Sequence, residues 1–441
     1  MLKDYIFGII DGIVACFTAN MSWTYLATTF WFLIFVEFPR YYLVDIIAAL
    51  HRGITWKSRR RKNTIARNLL MTERPLVSVL VPGKNEGPHL LRLLESLEEQ
   101  TYNNFEIIII DDGSDDATPS ICRDLMRHGR IHQFYRMAER GGKASAANYG
   151  LMHARGKYVV HIDADSSLDR DAIERILLPF YIDRYVRGVG GCIKARNIDD
   201  SMCTSMQALE YLRTIQIGRM ATDLFGIYHI ISGAFGAFET QTIREVGGWD
   251  IGPGLDGDIT QKLRKAGYKV RFAPDAICMT SVPVRWSALF KQRLRWSKSL
   301  VRFRIRKHRD IFWANKNFSF SNMLSNLDNI MFDFVFNYVW IYYIITLIFA
   351  ATDRLLEIFV VGWLIRLSFS ITSFVVMQCV SERSRSERRL GALLIFHSLY
   401  MGYFMRIARL CGHTMELFFR SSYRDPWNPV KTSSVAQAEG L

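Results

Sequence analysis

Two apolar belts, residues 22–50 and 331–413, lie far apart in the chain, and the stretch between them alternates short apolar runs with helical patterns. That layout constrains the fold more than anything else in the sequence. Inside a bilayer a backbone can satisfy its N–H and C=O groups only internally, so the belts must be helical. The first belt is preceded by residues 5–18, which as a helix reach roughly 20 Å against a hydrocarbon core of about 30 Å. They are expected to lie at the interface and, containing Asp11, not to act as a cleavable leader. Residues 22–50 are long enough to span, with a kink expected at Pro39 and interfacial aromatics at Tyr41 and Tyr42. The second belt offers spans at 331–350, 355–380 and 390–413, the last weakened by Arg406 and Arg409 near its end. Residues 381–389 carry four arginines and read as a cytoplasmic loop. Arg366 falls deep in its span. An arginine there needs a polar cavity or a partner, which makes it a candidate channel-lining residue.

Charge supports the same picture. The formal net charge is +14, a value that can signal nucleic acid, yet the basic residues gather beside the belts. Arg52, Lys57, Arg59, Arg60, Arg61 and Lys62 follow the first belt, and residues 285–309 hold ten Lys or Arg and no acid. This is the positive-inside bias and attraction to anionic headgroups, so the expected partner is a lipid bilayer and not nucleic acid. The expected location is the cell membrane, multi-pass, with the central domain in the cytoplasm. Seven scattered cysteines form no Cys-x-x-Cys pair and fit a reducing compartment.

The expected organisation is an interfacial and transmembrane segment at 1–51, a basic linker at 52–74, an α/β domain at 75–282 and amphipathic interface helices at 283–325. About three transmembrane helices follow at 326–413, then a polar tail at 414–441. Strand-like runs at 76–81, 105–110, 131–137 and 158–162 alternate with helical patterns at 88–100, 117–128, 143–154 and 169–180. Continuous apolar strands such as Ile107-Ile-Ile-Ile110 suit a doubly wound, mostly parallel sheet covered on both faces. Such sheets bind ligands at the carboxyl ends of their strands.

The polar motifs fall at those ends. The first strand runs into Pro82-Gly-Lys-Asn-Glu86 and the second into Asp111-Asp-Gly-Ser114, which together can read a base and a ribose. Arg140-Gly-Gly-Lys143 precedes a helix, where glycines admit a diphosphate and Lys143 supplies charge. Asp163-Ala-Asp165 closes the fourth strand, and residues two apart on a strand share a face, so both carboxylates can address one hard cation, Mg²⁺ or Mn²⁺. Asp256, after a Gly/Pro-rich loop, is the candidate general base for an acceptor hydroxyl. Asp258 is its rival, since either can cap the following helix. Gln292, Arg295 and Trp296 stand at i, i+3 and i+4 on one helical face, where an indole can stack on a sugar and an arginine can reach phosphate.

Taken together, these residues resemble the processive, membrane-embedded family-2 glycosyltransferases, the group of cellulose, chitin, hyaluronan and poly-N-acetylglucosamine synthases. The resemblance covers roughly residues 75–300 by motif and the belts by layout. It implies a GT-A fold, a metal-binding Asp-x-Asp at Asp163 and Asp165, and uridine or donor contacts at Pro82, Asn85, Glu86, Asp111, Asp112, Lys143 and Asp163. It also implies acceptor or polymer contacts at Gln292, Arg295 and Trp296, with Phe235 in a loop below the acceptor sugar. Leu255 stands where relatives usually carry an acid beside the base. The implied activity is inverting, processive transfer from a UDP-sugar to a β-linked polysaccharide that is passed across the membrane. UDP-N-acetylglucosamine is the first donor expected and UDP-glucose the second, with the nascent polysaccharide and an accessory membrane subunit as further partners. The alternatives are single-sugar transfer to a lipid carrier and a non-catalytic export component.

Overall fold

The computed structural model describes residues 23–250, 254–313, 318–424 and 429–438. The expected interfacial stretch 5–18 and part of the Gly/Pro-rich loop, at 252–253, lie outside them.

The strands form where β-branched and aliphatic residues run without interruption. β1 (Val77–Gly83) and β2 (Phe105–Asp111) are buried along nearly their whole length. Helix α1 (Gly87–Glu98) separates them and turns Leu90, Leu93, Leu94 and Leu97 inward at the spacing of one helical face. The next units repeat the scheme: α2 (Thr118–Arg127), β3 (Gln133–Arg136), α3 (Lys143–His153), β4 (Tyr158–Ile162), β5 (Ser166–Leu168) and α4 (Ala172–Ile182). With β6 (Val186–Ala195), β7 (Phe235–Glu239) and β8 (Lys269–Thr280) the sheet has eight strands in the order β3-β2-β1-β4-β7-β6-β8-β5. The first four are mutually parallel, as expected for a doubly wound sheet. The second half is mixed: β7 runs antiparallel to both β4 and β6, and β5 runs antiparallel to β8.

The N-terminal belt is helical from Trp23 to Glu73 with local irregularities. Widened turns at Phe32–Glu37 and Pro39–Leu43 lie on either side of Phe38, which accommodates a proline that has no N–H to donate. The basic residues after it continue as a helix, Trp56–Glu73, ended by Arg74 in a left-handed conformation. Three further helices, Phe320–Ala350, Leu355–Val380 and Ser384–Phe419, are long and apolar enough to cross a membrane.

Arg366 is buried against a partner that hydropathy alone does not point to. Glu37, from the first belt, accepts from Arg366 at 3.1 Å and from Arg406 at 2.6 Å, so one carboxylate joins three helices. The α/β domain grips the belts by ion pairs. Lys194 on β6 meets Glu387 at 2.7 Å with both buried, Arg175 meets Glu382 at 2.7 Å and Arg389 meets Asp199 at 2.7 Å. The basic loop at 381–389 therefore lies against the α/β domain. Further on, Glu416 pairs with Arg306 at 2.8 Å, and Thr432 in the helix Val430–Ala438 donates to the Gly141 carbonyl at 3.2 Å.

Candidate active site

The carboxyl ends of β1, β2 and β4 converge. At β1, Pro82 is buried, and Asn85 adopts a left-handed conformation that its short polar side chain tolerates. Its amide nitrogen donates to Asp115 at 2.6 Å and its backbone N–H to Ser114 Oγ at 2.8 Å, clasping the two loops together. At β2, Asp111 Oδ1 accepts from the Ser114 N–H at 2.9 Å. Its Oδ2 is buried and accepts no hydrogen bond, with Arg136 Nε 3.4 Å away. Asp112 is turned to another task. It accepts from the Gly141 and Gly142 N–H groups at 2.7 and 2.9 Å, so it shapes the Arg140–Lys143 loop.

That loop opens α3, whose first residue is Lys143. Its ammonium pairs with Asp163. Burial alone would lower the Lys143 pKa, but the carboxylates of Asp163, Asp256 and Asp165 outweigh it and raise the pKa above the usual value. Asp163 and Asp165 lie in the turn just after β4 and not on the strand as expected, because β4 ends at Ile162. They still share one ammonium as neighbour. Asp165 is pushed up by burial and by the charge of Asp163. Glu86 is pushed up to about 7, first by burial, then by Asp165 and Asp163.

Three carboxylates facing one ammonium leave an excess of negative charge. Among the described residues no three His, Cys, Asp or Glu form a closed metal cage. Asp163 and Asp165, close enough for the charge of one to act on the other, are hard oxygen donors of the kind that one or two carboxylates plus substrate phosphates offer to Mg²⁺ or Mn²⁺.

Asp256 sits in the first turn of helix α5 (Leu255–Lys265). Gly233 packs against it so closely that a Cβ there would lie 2.3 Å from Asp256 Oδ1. Only glycine permits that approach. Burial pushes the Asp256 carboxyl up, while Lys143 and the Gly233 N–H hold it back. His161 on β4 steadies the same turn, its Nδ1 lying 2.6 Å from the Gly233 carbonyl.

Asp258, the rival base, is committed elsewhere. It is buried, 2.8 Å from Lys307 Nζ and 2.7 Å from His308 Nε2. Burial opposes its ionisation, but those two partners prevail and hold the carboxyl well below its usual range. It is a strut between α5 and the segment Leu300–Lys307. Asp258→Asn should cost about 1–3 kcal/mol in a denaturation midpoint, no more, because Lys307 keeps Asp250 and the amide still meets His308.

Phe235 departs from its expected role. It is fully buried in β7, lying on Gly191 so tightly that a Cβ on Gly191 would meet its ring at 2.1 Å. Its side chain is core, and it presents nothing to an acceptor.

Gln292, Arg295 and Trp296 lie on helix α6 (Trp286–Ser299). Gln292 and Arg295 are half-buried, and Trp296 is 45% exposed. The end of α6 touches the base loop, since a Cβ on Gly254 would lie 2.6 Å from Ser299 Cβ. The spacing of the motif does not point to Arg293, which is buried beside Gln292 and Trp296.

The family profile of glycosyltransferase-like family 2 matches residues 74–299, half of the chain. The chain belongs to that glycosyltransferase family. Among curated relatives, the poly-beta-1,6-N-acetyl-D-glucosamine synthase of Staphylococcus aureus (strain COL) is 29% identical over 270 residues, 61% of this chain and 63% of that protein. The same enzyme of Staphylococcus epidermidis matches equally. The chain thus spans about 63% of the length of the relatives it matches. Among solved structures, a mannosyltransferase from Pyrobaculum calidifontis, in complex with GDP-Man and Mn²⁺, superposes with a TM-score of 0.52 at 22% identity, covering 85% of this chain and 99% of that one. That likeness shows the fold: a GT-A-like, mostly parallel sheet followed by long apolar helices.

Proposed function

We propose that the protein is an inverting, processive glycosyltransferase that builds a β-linked polysaccharide from a UDP-sugar and passes it into the membrane. The observation that carries this reading is the seat of α6. Helix α6 carries the exposed Trp296, meets the base loop at Ser299 and meets the last apolar helix at Trp286 and Ser297, so a chain leaving the site would be held along it. A sugar handed singly to a lipid needs no such platform.

The chemistry divides among the residues as follows. The Asp256 carboxylate takes the proton of the acceptor hydroxyl. The freed oxygen bonds to the anomeric carbon on the face opposite UDP, whose glycosidic C–O bond breaks, and configuration inverts. Lys143 lies beside Asp163, placed to face the diphosphate as it departs. Asp163 and Asp165 would hold Mg²⁺ or Mn²⁺, which supplies further charge to the leaving diphosphate. Asp111 and Asn85 order the pocket for the nucleoside, and the Asp112–glycine contacts keep the diphosphate loop open.

N-acetylglucosamine is the sugar we favour, on the relationship to the staphylococcal synthases, with glucose second. We place the catalytic domain in the cytoplasm because the arginine-rich loop that docks on it follows the positive-inside bias. The test uses purified protein in nanodiscs, offered each UDP-sugar with Mg²⁺ or Mn²⁺. UDP release with a long saccharide product is expected, and it should disappear on chelation. A product extended by one sugar only would replace this reading with lipid-carrier transfer, and no UDP release from any donor would remove it.

A further inference from the structure

The face of α6 turned toward the apolar helices is a stripe of Trp286, Phe290, Arg293 and Ser297, at i, i+4, i+7 and i+11. Trp286 packs on Phe404 with ring centroids 5.3 Å apart, and Phe290 on the same ring at 6.0 Å. Ser297 and the Leu294 backbone close on Gly412, where a Cβ would lie 2.7 Å from Ser297 Cβ and 3.0 Å from the Leu294 carbonyl oxygen. In the middle of this seam stands an arginine that is 2% exposed. A buried guanidinium needs a reason, because desolvating it is costly unless it is paired and hydrogen-bonded.

Its contacts supply one. Arg293 Nη2 lies 2.8 Å from Glu210 Oε2, a carboxylate that also accepts from the Tyr400 hydroxyl at 2.5 Å. Arg293 Nη1 donates to Gln292 Oε1 at 3.1 Å, and the guanidinium carbon lies 4.2 Å from the centre of the Trp296 ring. One buried cation therefore holds both the amide and the indole of the surface cluster. Anchors from two other elements, the helix Met202–Tyr211 and the apolar segment carrying Tyr400, hold it in turn.

We propose that Arg293 is a positioning residue that fixes Gln292 and Trp296 as a rigid platform for the growing saccharide, with Glu210 and Tyr400 setting its orientation. This rests on the polymerase reading above. The planar fork serves an amide, a carboxylate and a ring face at once, which a lysine ammonium cannot do. A fixed indole loses less rotamer freedom when a sugar stacks on it, so the saccharide stays bound between additions. The platform is also tied to the apolar segment, through the hydroxyl of Tyr400 on Glu210.

The test compares Arg293→Lys and Tyr400→Phe with the wild type in nanodiscs, reading product length, donor KM and UDP affinity together. Tyr400→Phe keeps the ring that packs on Trp286 and Phe404, so it guards against simple misfolding. Arg293→Lys should shorten the product roughly tenfold, the scale expected when a desolvated cation–π contact is lost. Donor KM and UDP affinity should stay as in the wild type. Tyr400→Phe should shorten the product in the same direction by a smaller factor. Wild-type product length in both variants would overturn the proposal while leaving the polymerase reading intact. Equal loss of UDP affinity and product would assign Arg293 to folding. If the wild type itself extends its acceptor by one sugar only, the platform falls together with the polymerase reading.

Discussion

Asp256→Asn is expected to bind donor nucleotide normally and to lose turnover by about 10²–10⁴-fold, the range that a positioned general base contributes. The amide fills the same space beside Gly233 and still meets its N–H, so the loop should keep its shape. What disappears is the ability to take a proton. Donor affinity, measured by titration with UDP, separates the base from a donor ligand, and UDP release in the presence of acceptor reads the chemistry. The same carboxyl sets the pH dependence. Only its ionised form works as a base, and burial raises its pKa above the ordinary aspartate value, so the acid limb of kcat should lie at higher pH than a solvated aspartate would give. The limb should vanish in whatever activity the asparagine variant retains. Full turnover in that variant would move the base role to another group.

The second large effect concerns stability. Glu37→Gln should destabilise the membrane region by about 3–5 kcal/mol, because it strands two buried guanidinium groups that now share one charge. Arg366→Met is the informative contrast. It leaves Glu37 and Arg406 as a one-to-one pair and removes a guanidinium whose Nη1 has no hydrogen-bond partner, so its cost should be clearly smaller. Thermal unfolding of both variants in nanodiscs checks the asymmetry. Equal losses would mean that Arg366 contributes packing and not surplus charge. Arg366 as a lining of the polymer path remains our proposal, and that role would appear in product formation and not in unfolding temperature.

The central sheet was legible where one physical signal dominated. The aliphatic runs of β1, β2 and β4 announce strands, and the acidic and glycine turns after them mark the ligand end. β6 was not, since Val186–Ala195 contains three glycines and neither alternates nor forms a clean apolar block. Its strand character comes from neighbours: Phe235 and Tyr228 press into the space that those glycines leave. Phe235 misleads because a glycine-rich turn beside a phenylalanine looks like a binding loop, while the depth of its ring depends on Gly191, far away in the chain. Asp258 and Asp256 are indistinguishable in sequence. Only the arrival of Lys307 and His308 divides strut from base. Arg293 did leave a trace, one basic residue in an otherwise aromatic and small stripe on α6, but the spacing of Gln292, Arg295 and Trp296 draws attention to the adjacent face. Glu37 was hidden for a similar reason, because hydropathy averages a single acid away and says nothing about which distant arginine it meets.

The ion pairs at the two ends of Ser384–Phe419 couple this apolar stretch mechanically to the rest of the protein. Glu387 is held by Lys194 of the sheet, Glu416 by Arg306 just beyond α6, and residues 430–438 reach back to the diphosphate loop. These ties hold one continuous helical stretch against the sheet at its beginning and against the segment after α6 at its end. A shift of Ser384–Phe419 along α6 would therefore be felt at the sheet through Lys194 and at the segment after α6 through Arg306.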